Sequence, residues 1–241
     1  MRKSISVVGV ALFLAIVGSA QTKPSVKPTP SKIPAGVPVK PGTTPKPIAA
    51  KPTFDVGKID GRTYTNETFN FRVTFPDTWL IPGDDFEEYM KKQGFDLGLK
   101  APDSLPPISQ TKINQAIKRV HILMTAYRSI PGATDNAIVR ISVEDLAANP
   151  QIKDAVDYFD AIRATYAGMK LPADFKYSET QVEKLGVRQF AYLDTTTAAG
   201  KKRMYARVSK GFAIMFTISY TKAEDLQTLR HVLETGDFAL K

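Results

Sequence analysis

Between residues 212 and 220 the side chains divide in two. Phe212, Ile214, Phe216, Ile218 and Tyr220 lie on one side of an extended strand, and Ala213, Met215, Thr217 and Ser219 lie on the other. A strand that is bulky on one side and mostly small on the other has no face to give to water. It predicts a central strand covered on both sides, with a helix laid close against the smaller face. That helix order continues downstream: Thr221 and Glu224 have the spacing of a capping box, Leu226, Leu229, Val232 and Leu233 recur on one helical face, and Gly236 stops the run.

A second apolar alternation opens the folded part. Phe69, Phe71, Val73 and Phe75 are separated by Asn70, Arg72 and Thr74, which predicts a strand ended by Pro76 and followed by the only tryptophan, Trp79. An indole at a strand exit is expected to plug the core or its rim. Asp60, Gly61 and Arg62 form a turn before this strand. Asn66-Glu67-Thr68 matches the N-glycosylation acceptor pattern, although Phe69 then begins the strand.

The 241 residues, 43% of them hydrophobic, allow one domain with appendages. Residues 1–20 read as a secretory leader: Arg2 and Lys3, an apolar run, then Gly18-Ser19-Ala20, with cleavage expected after Ala20. The apolar run is shorter than the roughly 20 residues of a spanning helix, which disfavours an uncleaved anchor. Residues 21–52 are rich in lysine and proline without an acidic residue, the composition of an extended, disordered linker that could reach up to about 100 Å and whose charge need mean nothing specific. Residues 53–241 are expected to form the globular domain.

The net charge of +9 belongs to these appendages. Eight of the 33 basic residues and none of the 24 acidic ones precede residue 53, which leaves 25 against 24 in the domain. Nucleic-acid binding by the domain is therefore not expected. Cysteine is absent, so disulfides, thiolate metal sites and a cysteine nucleophile are excluded.

Asp84 is placed as N-cap of a helix from Phe86, with Glu87 in capping-box position. The four carboxylates of Asp84, Asp85, Glu87 and Glu88 then suit the positive end of a helix rather than calcium. Residues 94–118 carry Pro102, Pro106 and Pro107 and predict only a short helix over 111–117, in a segment that reads as a binding lid or an insertion. Val120, Ile122, Met124 and Ala126 predict one strand, and residues 137–143 the next. Asn149-Pro150 is expected to open a helix with Ile152, Ala155, Phe159, Ile162 and Tyr166 inward, ending at Gly168; Asp154, Asp157 and Asp160 are its solvated face. Strands over 175–182, 187–195, 203–209 and 212–220 follow, the last pair joined by a tight Lys210-Gly211 hairpin, and residues 238–240 close the chain as an edge strand.

Tyr64-x-Asn66-x-x-Phe69-x-Phe71 with Phe75-Pro76-x-x-Trp79, and Gly211-Phe212-x-x-x-Phe216-x-x-Ser219 followed by a capped helix and Phe238, resembles the PsbP-like family, which includes the extrinsic protein of photosystem II, the Mog-type import factor and DcrB-type envelope proteins. The resemblance spans about residues 60–240. It implies an α+β fold, a twisted, mainly antiparallel sheet with helices on both faces, and a non-enzymatic role in binding or assembly. It carries over no catalytic residue.

No nucleophile elbow, phosphate loop, dinucleotide fingerprint or paired zinc histidines occur; His121 and His231 have no companion in the sequence. No catalytic, cofactor or metal residue is assigned. Lys201, Lys202 and Arg203, expected at a hairpin tip, are the one candidate partner surface for an anionic lipid, glycan or acidic protein, although their position favours a solvated turn. The expected function is a secreted or periplasmic module that binds an envelope protein or other envelope component, needs no cofactor, and touches a membrane only through an uncleaved leader. The alternative is an envelope hydrolase whose carboxylates are scattered along the chain, which a deep pocket holding two raised-pKa carboxylates would favour.

Overall fold

The structure, a computed structural model, describes residues 55–83, 85–103, 105–133 and 135–239. The expected leader and Lys/Pro linker, the capping role of Asp84, and Leu240 lie outside the described residues; the expected closing strand is not formed by Phe238 and Ala239, and only Asp237 bridges to Arg72. Within them the chain is α+β. Strands β1 (Lys58–Asp60), β2 (Thr63–Asn66) and β3 (Phe71–Thr74) form a small antiparallel sheet. Helices α1 (Phe86–Lys92) and α2 (Pro107–Ile117) lead to β4 (Val120–Tyr127), β5 (Ile138–Asp145) and helix α3 (Ala155–Ala167). Then come β6 (Lys176–Tyr177), β7 (Gln181–Leu185), β8 (Arg188–Thr197), β9 (Gly200–Ser209), β10 (Phe212–Tyr220) and helix α4 (Ala223–Glu234).

The main sheet is antiparallel in the order β4-β5-β10-β9-β8-β6, with β7 also on β8. β10 is central, paired along its length to β5 and β9, and its two faces enter different cores. Ala213 and Met215 pack with Tyr158, Phe159, Ile162 and Tyr166 of α3, and the Tyr158 hydroxyl oxygen lies 3.1 Å from Met215 Sδ. Ile214, Phe216 and Ile218 pack with Leu226, Leu229, Val232 and Leu233 of α4. Helices thus cover both faces, as the two-sided pattern requires.

The opening aromatics build a separate sheet, not a further strand of the main one. Phe71 lies edge-on to Phe216 at 5.3 Å and stacks with Phe238 at 6.0 Å, while Phe69, Val73, Phe75 and Trp79 are buried in the same cluster. The strand there is shorter than its alternation predicts. Asn70 takes φ 53, and residues 67–70 form a turn instead of strand. Asn66 dictates that turn: its side-chain oxygen accepts from the Phe69 N–H at 2.9 Å, and its amide donates to the Tyr64 hydroxyl and the Asp55 carbonyl, both at 3.0 Å. Fully buried, Asn66 is a structural residue and offers no surface for a glycan.

Other departures have equally local causes. Helix α2 begins at Pro107 instead of residue 111, because proline lacks only an N–H that a first helical turn leaves unbonded. The segment before it is packed, with Leu97, Ala101 and Leu105 buried and Asn114 accepting from the Ala101 N–H at 3.1 Å. A β-bulge between Ile122 and Met124 splits the expected apolar set of β4, so Val120 joins the α3 core and Met124 and Ala126 the α4 core. Helix α3 starts at Ala155 and not at Pro150, capped by Asp154, whose carboxylate accepts from the N–H groups of Val156 and Asp157 at 2.8 and 2.9 Å. The box expected from Thr221 does not form: Lys222 occupies the N-cap position of α4 without a side-chain cap bond. Residues 175–182 are interrupted, giving β6 and β7, which both pair with β8. Lys210 and Gly211, at φ 52 and 78, make the tight hairpin expected of them.

Candidate functional site

Lys201, Lys202 and Arg203 do not form a hairpin tip. β9 begins at Gly200, the turn is Ala198-Ala199, and all three residues are laddered between β8 and β10. Strand alternation then parts them. Lys202 shares a face with Met204 and Ala206 of the α3 core; burial and the charge of Arg140 bring its pKa down to about 7. Arg203 shares the opposite face with Tyr205, and only Lys201 is exposed. Arg203 donates to both carboxylate oxygens of Asp194 at 2.7 and 2.6 Å and lies 4.1 Å over the Tyr192 ring. Burial lowers its pKa, but the bonds to Asp194 and Tyr205 outweigh that and leave it raised. Glu183 joins the same network, accepting from the Tyr205 hydroxyl at 2.7 Å and pairing with Arg230 of α4. The three cations are therefore not one partner surface.

A different basic site appears where the main sheet divides. The β8–β9 ladder ends at Ala191 and Ala206. Beyond it, Arg188, Gln189 and Phe190 pair only with β7, and Arg207, Val208 and Ser209 only with β10. At this split lies an open groove of about 490 Å³ lined by Lys184, Val187, Arg188, Gln189 and Arg207. Three cations and no carboxylate line it, and among the described residues none of the three has an ion pair. Arg207 is the most constrained of them. Its guanidinium carbon sits 5.2 Å over the Phe238 ring, and its buried Nη1 has no hydrogen-bond partner among the described residues. Burial, then the neighbouring charge of Arg188, lowers its pKa. The β7–β8 turn that carries Val187 is held in place: Gly186 has φ 57, and a Cβ there would meet the Glu234 carbonyl oxygen of α4 at 2.5 Å.

No protein-family model matches the chain, and no curated protein matches it. Solved structures do. A crystal structure from Bacteroides thetaiotaomicron VPI-5482 matches at 12% identity and TM-score 0.36, covering 76% of this chain and 50% of that one. The solution structure of cyanobacterial PsbP (CyanoP) from Synechocystis sp. PCC 6803 matches at 10% identity and TM-score 0.38, covering 75% of this chain and 96% of that one. The chain thus spans half the length of the Bacteroides protein. One of the two is a PsbP, the family that the strand-end aromatics resemble.

The carboxylates are dispersed in structural roles. Glu144, fully buried, accepts from the Tyr158 hydroxyl at 2.8 Å and lies 3.7 Å from Arg119 Nε. Asp225 has its pKa raised by burial, yet it pairs with Arg128 at 3.5 Å and lines neither of the two hollows described here. The second hollow, about 540 Å³ between residues 145–153 and 208–212, has Asp145 as its single carboxylate. Among the described residues no group of three histidine, aspartate or glutamate side chains is placed to hold a metal, and no helix is long and apolar enough to cross a membrane. The groove was not visible as a sequence motif: Lys184, Arg188 and Arg207 are ordinary isolated charges until β7, β8 and β9 are aligned. The turn at Leu185-Gly186 was the one available pointer.

Proposed function

We propose that the protein is an exported, non-catalytic binding or assembly module of the cell envelope, and that it holds an anionic partner in the groove where β8 and β9 part. The observation that carries this reading is the groove's charge: among the described residues Lys184, Arg188 and Arg207 line it without a carboxylate, and a buried Arg207 donor has no partner there. The buried, unpartnered Arg207 donor costs free energy in the unliganded chain, and an anion in the groove would offset that cost. The Lys/Pro tract supports the same reading, since an extended tether lets a docking domain reach a partner at a distance from its point of attachment. Affinity capture tests it. The full tagged chain, expressed in its own envelope, should be found in the envelope fraction and should recover a partner at low salt. Recovery should fall at high salt and in the Arg188→Gln/Arg207→Gln variant. Equal recovery by this variant and the native chain would remove the groove from the function.

A further inference from the structure

We infer that the occupant of the groove is an extended, carboxylate-bearing polypeptide segment that adds to the parted sheet as a strand. This rests on the reading of the groove as the binding surface, and it follows from three features taken together. The first is backbone chemistry. Past Ala191 and Ala206 the facing edges of β8 and β9 no longer pair with each other, while each stays laddered on its other side. Such an edge presents N–H donors and C=O acceptors in alternation, and the group that matches both in sequence is another peptide backbone. The second is charge: Arg188 and Lys184 stand on one side of the split and Arg207 on the other, so carboxylates entering from either side meet a cation. The third is apolar surface beside the cations. Val187 is 88% exposed in the groove wall, and Val182, 54% exposed, lies on β7.

A phosphate polymer would satisfy the second feature alone. It has no alternating donors and acceptors for the strand edges and no apolar side chains for Val187. A polypeptide whose acidic residues alternate with apolar ones satisfies all three, because alternate residues of a strand point to opposite faces and can present carboxylates to one side and apolar groups to the other.

Fluorescence anisotropy of the full chain with labelled synthetic peptides tests this. The probes are a short peptide alternating glutamate and valine, a lysine–valine peptide of the same length, a glutamate–proline counterpart that cannot donate to a ladder, and tripolyphosphate as a competitor. The glutamate–valine peptide should bind with a strong salt dependence, the lysine–valine peptide should not bind, and the proline counterpart should bind at least about tenfold more weakly. Val187→Glu, at an exposed position that leaves folding intact, should weaken the glutamate–valine peptide about tenfold by placing a like charge in its path, while Val187→Lys should not. Equal affinity for the valine and proline peptides would overturn strand addition. Binding of tripolyphosphate that is lost in Arg188→Gln/Arg207→Gln, with no peptide bound, would overturn this inference and leave the anion-binding groove standing. Failure of every anionic probe to bind would overturn both.

Discussion

Arg203 and Asp194 sit directly opposite each other on β9 and β8, and the guanidinium donates from Nε and Nη2 to the two carboxylate oxygens at 2.7 and 2.6 Å. The pair lies within the α4-side network of Tyr192, Tyr205 and Glu183, with Arg203 16% and Asp194 32% exposed at the side chain. Two parallel charge-assisted bonds in a partly desolvated setting predict a coupling energy of about 1–3 kcal/mol in a double-mutant cycle of Arg203→Ala and Asp194→Ala. Arg203→Lys should not restore it, because an ammonium cannot meet both oxygens or lie flat on the Tyr192 ring. Urea unfolding of the four chains gives the number; a coupling near zero would make the pair incidental to stability.

Lys202 predicts an alkaline rise in stability. Its amine loses a proton near pH 7 in the folded chain, against an ordinary value of 10.5, so the folded state binds fewer protons across that interval and the Lys202 contribution rises with pH from about 7 to 10.5. Below pH 7 both states are protonated and its contribution is flat. Tyr64 acts with the opposite sign. Burial raises its pKa from 10.0 to about 12, so its contribution falls as pH rises through that interval. Unfolding midpoints should therefore climb from pH 7 toward pH 10 and turn down above it. Lys202→Met should abolish the climb between pH 7 and 9; an unchanged slope in that variant would assign the climb to another group.

Asn66 serves three partners from a buried position, and Asn66→Ala leaves the Phe69 N–H without its acceptor. The expected loss is roughly 2–4 kcal/mol, at the upper end for single hydrogen-bonding side chains because several bonds go together. Asn66→Asp retains the acceptor for Phe69 but turns a buried carboxylate oxygen toward the Asp55 carbonyl oxygen, so at neutral pH it should lose at least as much as Asn66→Ala. Thermal midpoints of the three chains would order them.

Gly186 and Gly211 separate backbone strain from steric collision. Both have positive φ, 57 and 78, but a Cβ on Gly211 meets nothing within 4 Å, whereas one on Gly186 meets the Glu234 carbonyl oxygen at 2.5 Å. Gly211→Ala should cost about 1 kcal/mol, the left-handed penalty alone. Gly186→Ala should cost at least about 2 kcal/mol more, since the β7–β8 turn must also move off the end of α4. Equal losses in denaturant titrations would mean that the turn gives way freely.

How far each part was legible depends on whether a single element contains its own explanation. The two-sided pattern of β10, the inward stripe of α4, the Phe159, Ile162 and Tyr166 stripe of α3 and the Lys210-Gly211 turn are short-range periodicities, and all appear where their residues require. The bulge in β4 was not legible, because alternation continues through Leu123 and only the pairing with β5 shows the slip. Lys201, Lys202 and Arg203 look alike as a charge run. Their different fates follow from β9 being paired on both sides from Lys201 to Ala206.

By itself, the sequence determined that residues from about 60 onward must build a two-sided layer, that helices must cover it, and that the excess positive charge belongs to the segment before residue 53; these follow from the periodicity of apolar side chains and the placement of charges along the chain. Only the tertiary structure decided which cations face each other and where the sheet divides. The ladder between β8 and β9 ends after Ala191 and Ala206, and that brings Lys184, Arg188 and Arg207 around one opening. Register and pairing relate residues far apart in the chain, so no local pattern encodes them.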